Sequence, residues 1–153
     1  MTELAGISPW RSALLALSMV LCLIAPSPSH AGDKQISVEL NRVTPGDGAC
    51  RVSFVFTNHL DVPVESLAME TVLFDKQGSV ERFVVLKSRP LTPGKIRVQQ
   101  FDMRGLQCDG IGKFLLNDVT ECKAGDLTAA ACLERIAVTS RTDIPFVSTA
   151  ASN

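Results

Sequence analysis

Apolar and polar side chains alternate in short runs along most of this chain, and one run stands out. In Cys50 to Asn58 the residues Val52, Phe54 and Phe56 fall on one face, and Arg51, Ser53 and Thr57 on the other. Period-two alternation is the signature of a half-buried strand, and the turn-prone Asn58-His59-Leu60-Asp61-Val62-Pro63 closes it. Before it, Ile36, Val38 and Leu40 alternate in the same way, and Thr44-Pro45-Gly46-Asp47-Gly48 supplies the turn between the two. After it, Leu67, Met69 and Leu73 predict a third strand, with Val72 and Phe74 apolar on its other face. Asp75-Lys76-Gln77-Gly78 reads as a hairpin loop leading to Val80–Leu86.

Beyond Pro90 and Pro93-Gly94, the residues Ile96, Val98 and Gln100 share one parity and Phe101 takes the other, so a bulge near Gln99 is expected. Ile111 to Leu116 reads as a buried strand, and the pattern changes after Asn117-Asp118. Asp126 followed by Leu127–Glu134 reads as an N-cap and about two turns of helix. Ile136 and Val138 fit a last strand, and the tail 148–153 has little to bury and is expected to be disordered. Roughly seven short strands with turns between them predict an all-β, immunoglobulin-like antiparallel sandwich with one short helix near the C-terminus. The likeness is architectural only. Trp10 is the sole tryptophan and tyrosine is absent, so the buried tryptophan and tyrosine corner of antibody domains are missing.

The N-terminal segment changes the picture. Arg11, the apolar run Ala13–Ala25 and the small residues Ser29 and Ala31 form a three-part secretory signal, placing the signal peptide at 1–31 and the mature start at Gly32. The apolar run falls short of the roughly 20 residues a spanning helix needs, so no stable membrane anchor is expected. Cys22 follows the bulky Leu21 rather than a small residue, which argues against lipidation. The expected layout is therefore a signal peptide, a single β-sandwich domain at 32–147 and a short tail, in a periplasmic or secreted protein. Removing the leader takes away Arg11 and Glu3 together, so the net charge stays at −1 and gives no reason to expect nucleic acid as a partner.

The cysteines left are Cys50, Cys108, Cys122 and Cys132. An even set in an exported chain predicts two disulfides, and no C-x-x-C pair supports a zinc or thioredoxin-like site. The expected pairing joins Cys50 to Cys108 across the domain and Cys122 to Cys132 as a local staple on the helix.

At Glu70-Thr71-Val72-Leu73-Phe74-Asp75 with Gly78, at Arg97–Asp102, and at Leu115–Val119 with Cys122, the chain resembles a group of uncharacterised small exported proteins of alphaproteobacteria. Some of these are labelled as twin-arginine signal proteins, whereas the leader here has a single arginine in Trp10-Arg11. The resemblance carries over no activity and no functional residue.

His59 is the one histidine outside the leader and sits in a polar turn, ordinarily a solvated position. Glu65, Glu70, Asp75 and Glu81 are ordinary for wet strand faces and turns, and a glycosidase would need two of them at a catalytic spacing. Arg82, Lys87, Arg89, Lys95 and Arg97 cluster around the proline turns, where such residues usually form a solvated rim or protect strand edges. No glycine-rich phosphate loop is present, and no cofactor is expected. The pattern favours a non-enzymatic binding or accessory module that recognises another protein. The alternative is a small hydrolase or metal-handling enzyme using His59, Asp61 and Glu65.

Overall fold

A computed structural model describes residues 34–152. The expected signal peptide and the start at Gly32 lie outside the described residues. The chain visits two sheets in turn. Strands β1 (Ile36–Gly46), β2 (Ala49–Asn58), β5 (Ile96–Arg104) and β7 (Ile136–Ser140) form one sheet in the order β5-β2-β1-β7. Strands β3 (Val64–Asp75), β4 (Val80–Ser88), β6 (Ile111–Ala124) and β8 (Phe146–Ser148) form the other in the order β4-β3-β6-β8. Among the described residues the one α-helix, α1, spans Ala129–Glu134, and Cys108–Gly110 and Thr149–Ser152 are 3-10 turns. This is the all-β sandwich that the alternation predicts. Most neighbours are antiparallel, but β1 with β7 and β6 with β8 run parallel.

The inward faces build the core because their side chains are apolar at every second position. Val52, Phe54 and Phe56 of β2 have no exposed surface, and neither do Ile36, Val38 and Leu40 of β1. Phe54 is the hub. Its ring lies 6.0 Å from Phe101 in its own sheet, and 5.9 Å from Phe114 and 5.5 Å from Phe146 in the other. Such tilted and edge-on pairs add about 0.5–1.5 kcal/mol each to the area they bury. The two disulfides join the expected partners, Cys50 to Cys108 and Cys122 to Cys132, with Cα atoms 4.9 and 6.5 Å apart. The first fastens the start of β2 to the turn that leads into β6, and so ties one sheet to the other.

Four local expectations are corrected. β5 has no bulge near Gln99, since its register with β2 is unbroken from Ala49 opposite Arg104 to Thr57 opposite Ile96. Phe101 and Met103 set the inward parity, so Arg97 and Gln99 also point inward while Ile96 and Val98 are left outside. β6 does not stop at Asn117-Asp118 but continues to Ala124, absorbing these polar residues through register shifts against β3. The cap of α1 is Thr128, whose hydroxyl accepts from the Ala131 N–H at 3.2 Å, and not Asp126. The tail expected to be disordered from Ser148 is ordered up to Ser152: Ser148 is buried at the end of β8 and the Thr149 hydroxyl donates to the Leu116 and Asn117 carbonyls.

Asn58, read as a turn former, is a fully buried organiser. Its amide donates to the Val62 and Leu91 carbonyls at 2.9 and 3.0 Å, and its oxygen accepts from the Leu60 N–H at 2.9 Å. One side chain thus fixes the loop between β2 and β3 against the connection between β4 and β5.

Candidate interaction surface

The residues singled out for an enzymatic site are exposed and have separate duties. His59 lies in the loop after β2 with Nε2 3.4 Å from the Ser37 hydroxyl. Asp61 forms an ion pair with Lys34, and Glu65 is the second residue of β3. Among the described residues no hydrogen bond or ion pair joins His59 to Asp61 or to Glu65, and no group of three or more His, Cys, Asp or Glu is placed to hold a metal ion. Of the other carboxylates Glu81 is exposed on β4, and two serve the framework. Glu70 accepts from the Asn117 amide at 2.7 Å, and Asp75 Oδ1 closes the β3–β4 hairpin by accepting from the Gln77 and Ser79 N–H groups.

Two of the depressions on the surface of the described residues bear charged side chains. One of about 440 Å³ lies between the β1–β2 turn and Arg51, Asp102 and Arg104. Two of its charges engage each other, Arg51 gripping Asp102 through two hydrogen bonds of 2.7 and 3.1 Å. The hydrogen bond from Arg51 holds the Asp102 carboxyl below the usual range. The other, of about 300 Å³, is lined by Leu60, Asp61, Val62, Leu127 and Arg135 among others.

The chemistry left uncompensated collects where β4 and β5, the edge strands of the two sheets, come side by side. Side chains tie them together: Arg82 donates to the Arg104 carbonyl at 2.7 Å, and Gln99 bridges to the Arg89 N–H and the Lys87 carbonyl at 2.7 and 2.9 Å. These bonds also reveal which backbone groups face outward. Because successive residues of an antiparallel strand direct their N–H and C=O to opposite sides, Phe83 and Val85 share the outward direction of Lys87 and Arg89. On β5 the Lys95 carbonyl accepts from Asn58 N–H, toward β2, so Ile96, Val98, Gln100 and Asp102 direct theirs away from the sheet. Among the described residues none of those β5 groups meets a partner.

The same residues carry exposed apolar side chains. Phe83 is 61% exposed and Val85 49% on β4, and Ile96 is 62% and Val98 63% on β5. Protected edges normally show charge at such positions. The basic residues grouped in the sequence do meet here, with Arg82 and Lys87 on β4, Arg89 and Lys95 in the connection and Arg97 on β5, joined by Arg104. None of them forms a salt bridge among the described residues.

No family model matches this chain, and neither does any curated protein. Its fold has known company. The structure of IrmA from Escherichia coli aligns with a TM-score of 0.53 at 10% identity, over 68% of this chain and 90% of that one. At this identity the likeness shows the sandwich fold alone. A trimeric lipoprotein, SadB of Salmonella enterica, aligns over 48% of this chain and 45% of its own at 16% identity and a TM-score of 0.42, too slight a match to bear on the fold.

Sequence pattern found the basic cluster but not the edge itself. In the sequence Ile96 and Val98 stand on one parity and Phe101 on the other, which the expected bulge near Gln99 would have reconciled. Only the parity imposed by Phe101 and Met103 turns them outward.

Proposed function

We propose that this protein is a non-enzymatic, extracytoplasmic binding or accessory module, periplasmic or secreted, that recognises another protein through a sheet edge. The observation that carries this reading is the pair of edge strands presenting Phe83, Val85, Ile96 and Val98 to solvent beside unsatisfied backbone. Extended segments add to such edges by main-chain hydrogen bonds, and side chains at alternate positions supply selectivity. The two disulfides support an oxidising compartment, where such bonds persist.

Photo-crosslinking residues installed at Phe83 and at Val98 test the reading in the producing cell. A discrete protein adduct from either position, absent from a control at Asp47, is the expected result. Absence of any adduct, or a hydrolytic turnover of the purified protein that His59→Ala abolishes, would overturn it.

A further inference from the structure

The partner's chemistry is written into β5. Ile96 and Val98 flank Arg97 on opposite parity, so the edge alternates an exposed apolar side chain with a cation. Arg97 is half-buried, and its guanidinium makes one hydrogen bond, to the Pro90 carbonyl at 3.2 Å. Its Nε is buried without a partner. A half-buried guanidinium with N–H groups to spare is best satisfied by a carboxylate, which accepts from it in a charge-assisted hydrogen bond. None is within salt-bridge range among the described residues, and neither Lys95, just before the strand, nor Arg104, at its end, forms an ion pair, although the charge of Arg104 is felt by Asp102. Asp102 is the one acid of β5, and Arg51 already holds it.

We infer that the free edge of β5 takes an extended protein segment in which apolar residues alternate with acidic ones. The main chain of that segment pairs with the outward N–H and C=O groups of Ile96, Val98, Gln100 and Asp102. Its apolar side chains lie beside Ile96 and Val98 on the outer face of the sheet, and its carboxylates lie beside Arg97, toward β4. A second copy of this chain fits less well, since its own β5 brings another Arg97 to that side and no free carboxylate. This proposal rests on the binding-module reading and narrows it to one edge and one partner chemistry.

An inward-pointing charge on an edge strand can also be a guard against pairing, and the two roles of Arg97 predict opposite outcomes. The test uses the exported protein with its disulfides intact and two short synthetic peptides, one alternating valine with glutamate and one alternating valine with lysine. Binding is read from backbone amide shifts. The expected result is that the glutamate peptide shifts Ile96, Val98, Gln100 and Asp102 and the lysine peptide does not. Arg97→Gln should weaken binding by about tenfold, the loss of one hydrogen bond between charged groups. Val98→Pro should weaken it as much while leaving the fold intact, because that N–H faces away from β2 and proline is tolerated on edges. Shifts confined to Phe83 and Val85, equal binding of the lysine peptide, or no shift at millimolar peptide would overturn the proposal. So would self-association of Arg97→Gln with undiminished peptide binding, which identifies the arginine as a guard. Cellular crosslinking at Phe83 alone would leave the binding-module reading standing and remove only the β5 assignment.

Discussion

Replacing Asn58 tests whether a single buried amide holds the loop end of the sandwich together. Its three hydrogen bonds each contribute about 0.5–1.5 kcal/mol net. Asn58→Ala removes all three and leaves the Leu60 N–H and the Val62 carbonyl without that partner, whereas the Leu91 carbonyl still accepts from Val64 N–H. The expected loss is about 3 kcal/mol, a large part of the roughly 5–15 kcal/mol that holds a domain together. It corresponds to a drop of roughly 10–15 °C in Tm. Chemical denaturation followed by circular dichroism, with disulfides intact, measures it. Asn58→Asp sharpens the argument. The carboxylate keeps the bond from Leu60 N–H but turns a second oxygen toward the Val62 and Leu91 carbonyls, so burial and these acceptors raise its folded-state pKa above the ordinary range near 4. The folded state then binds more protons than the unfolded state. Relative to the parent protein, Asn58→Asp should be least impaired in acid and lose stability as pH rises from about 4 through the raised value. A loss below about 0.5 kcal/mol for Asn58→Ala, within the range of ordinary surface substitutions, would refute the reasoning. So would an Asp variant whose deficit does not grow with pH.

Three further outcomes follow from the same geometry. Removing Cys50–Cys108 by a double Cys→Ala change should cost about 4 kcal/mol and removing Cys122–Cys132 about 3, from loop-closure entropy, as denaturation would show, and non-reducing peptide mapping should return only these two pairings. Gly112→Ala should destabilise by about 1–3 kcal/mol in the same assay, because an added Cβ would sit 2.2 Å from the Asp75 carbonyl oxygen and the backbone must shift. The Glu39 carboxyl is held below its usual range by hydrogen bonds from Asn41 and then Arg141, and the Asp102 carboxyl by that from Arg51. Their contribution is therefore present above the ordinary carboxylate pKa and lost as pH falls through the lower folded-state values; Glu39→Gln together with Asp102→Asn should flatten the acid limb of a stability-against-pH curve.

The alternation of Val52, Phe54 and Phe56, and of Ile36, Val38 and Leu40, determined strands with one apolar face, because a period of two commits a whole face to the core at once. Turn chemistry was equally local: Asp47-Gly48 and Asp75 to Gly78 mark their hairpins, since glycine reaches positive φ without strain. The cysteine pairing was legible because few arrangements remain once the strands are placed. What the chain could not declare by itself are features made by neighbours distant in sequence. Whether Ile96 or Phe101 faces inward depends on the register of β5 against β2, and a one-residue difference reverses every side chain. Phe146–Ser148 is too short to signal a strand, and exists because β6 offers it a parallel partner. Asn58 looked like a turn residue until the Leu91 carbonyl, far along the chain, came within its reach. The basic cluster was visible in the sequence, but that its members form no ion pair among the described residues is decided only when β4 and β5 meet as the edges of two different sheets.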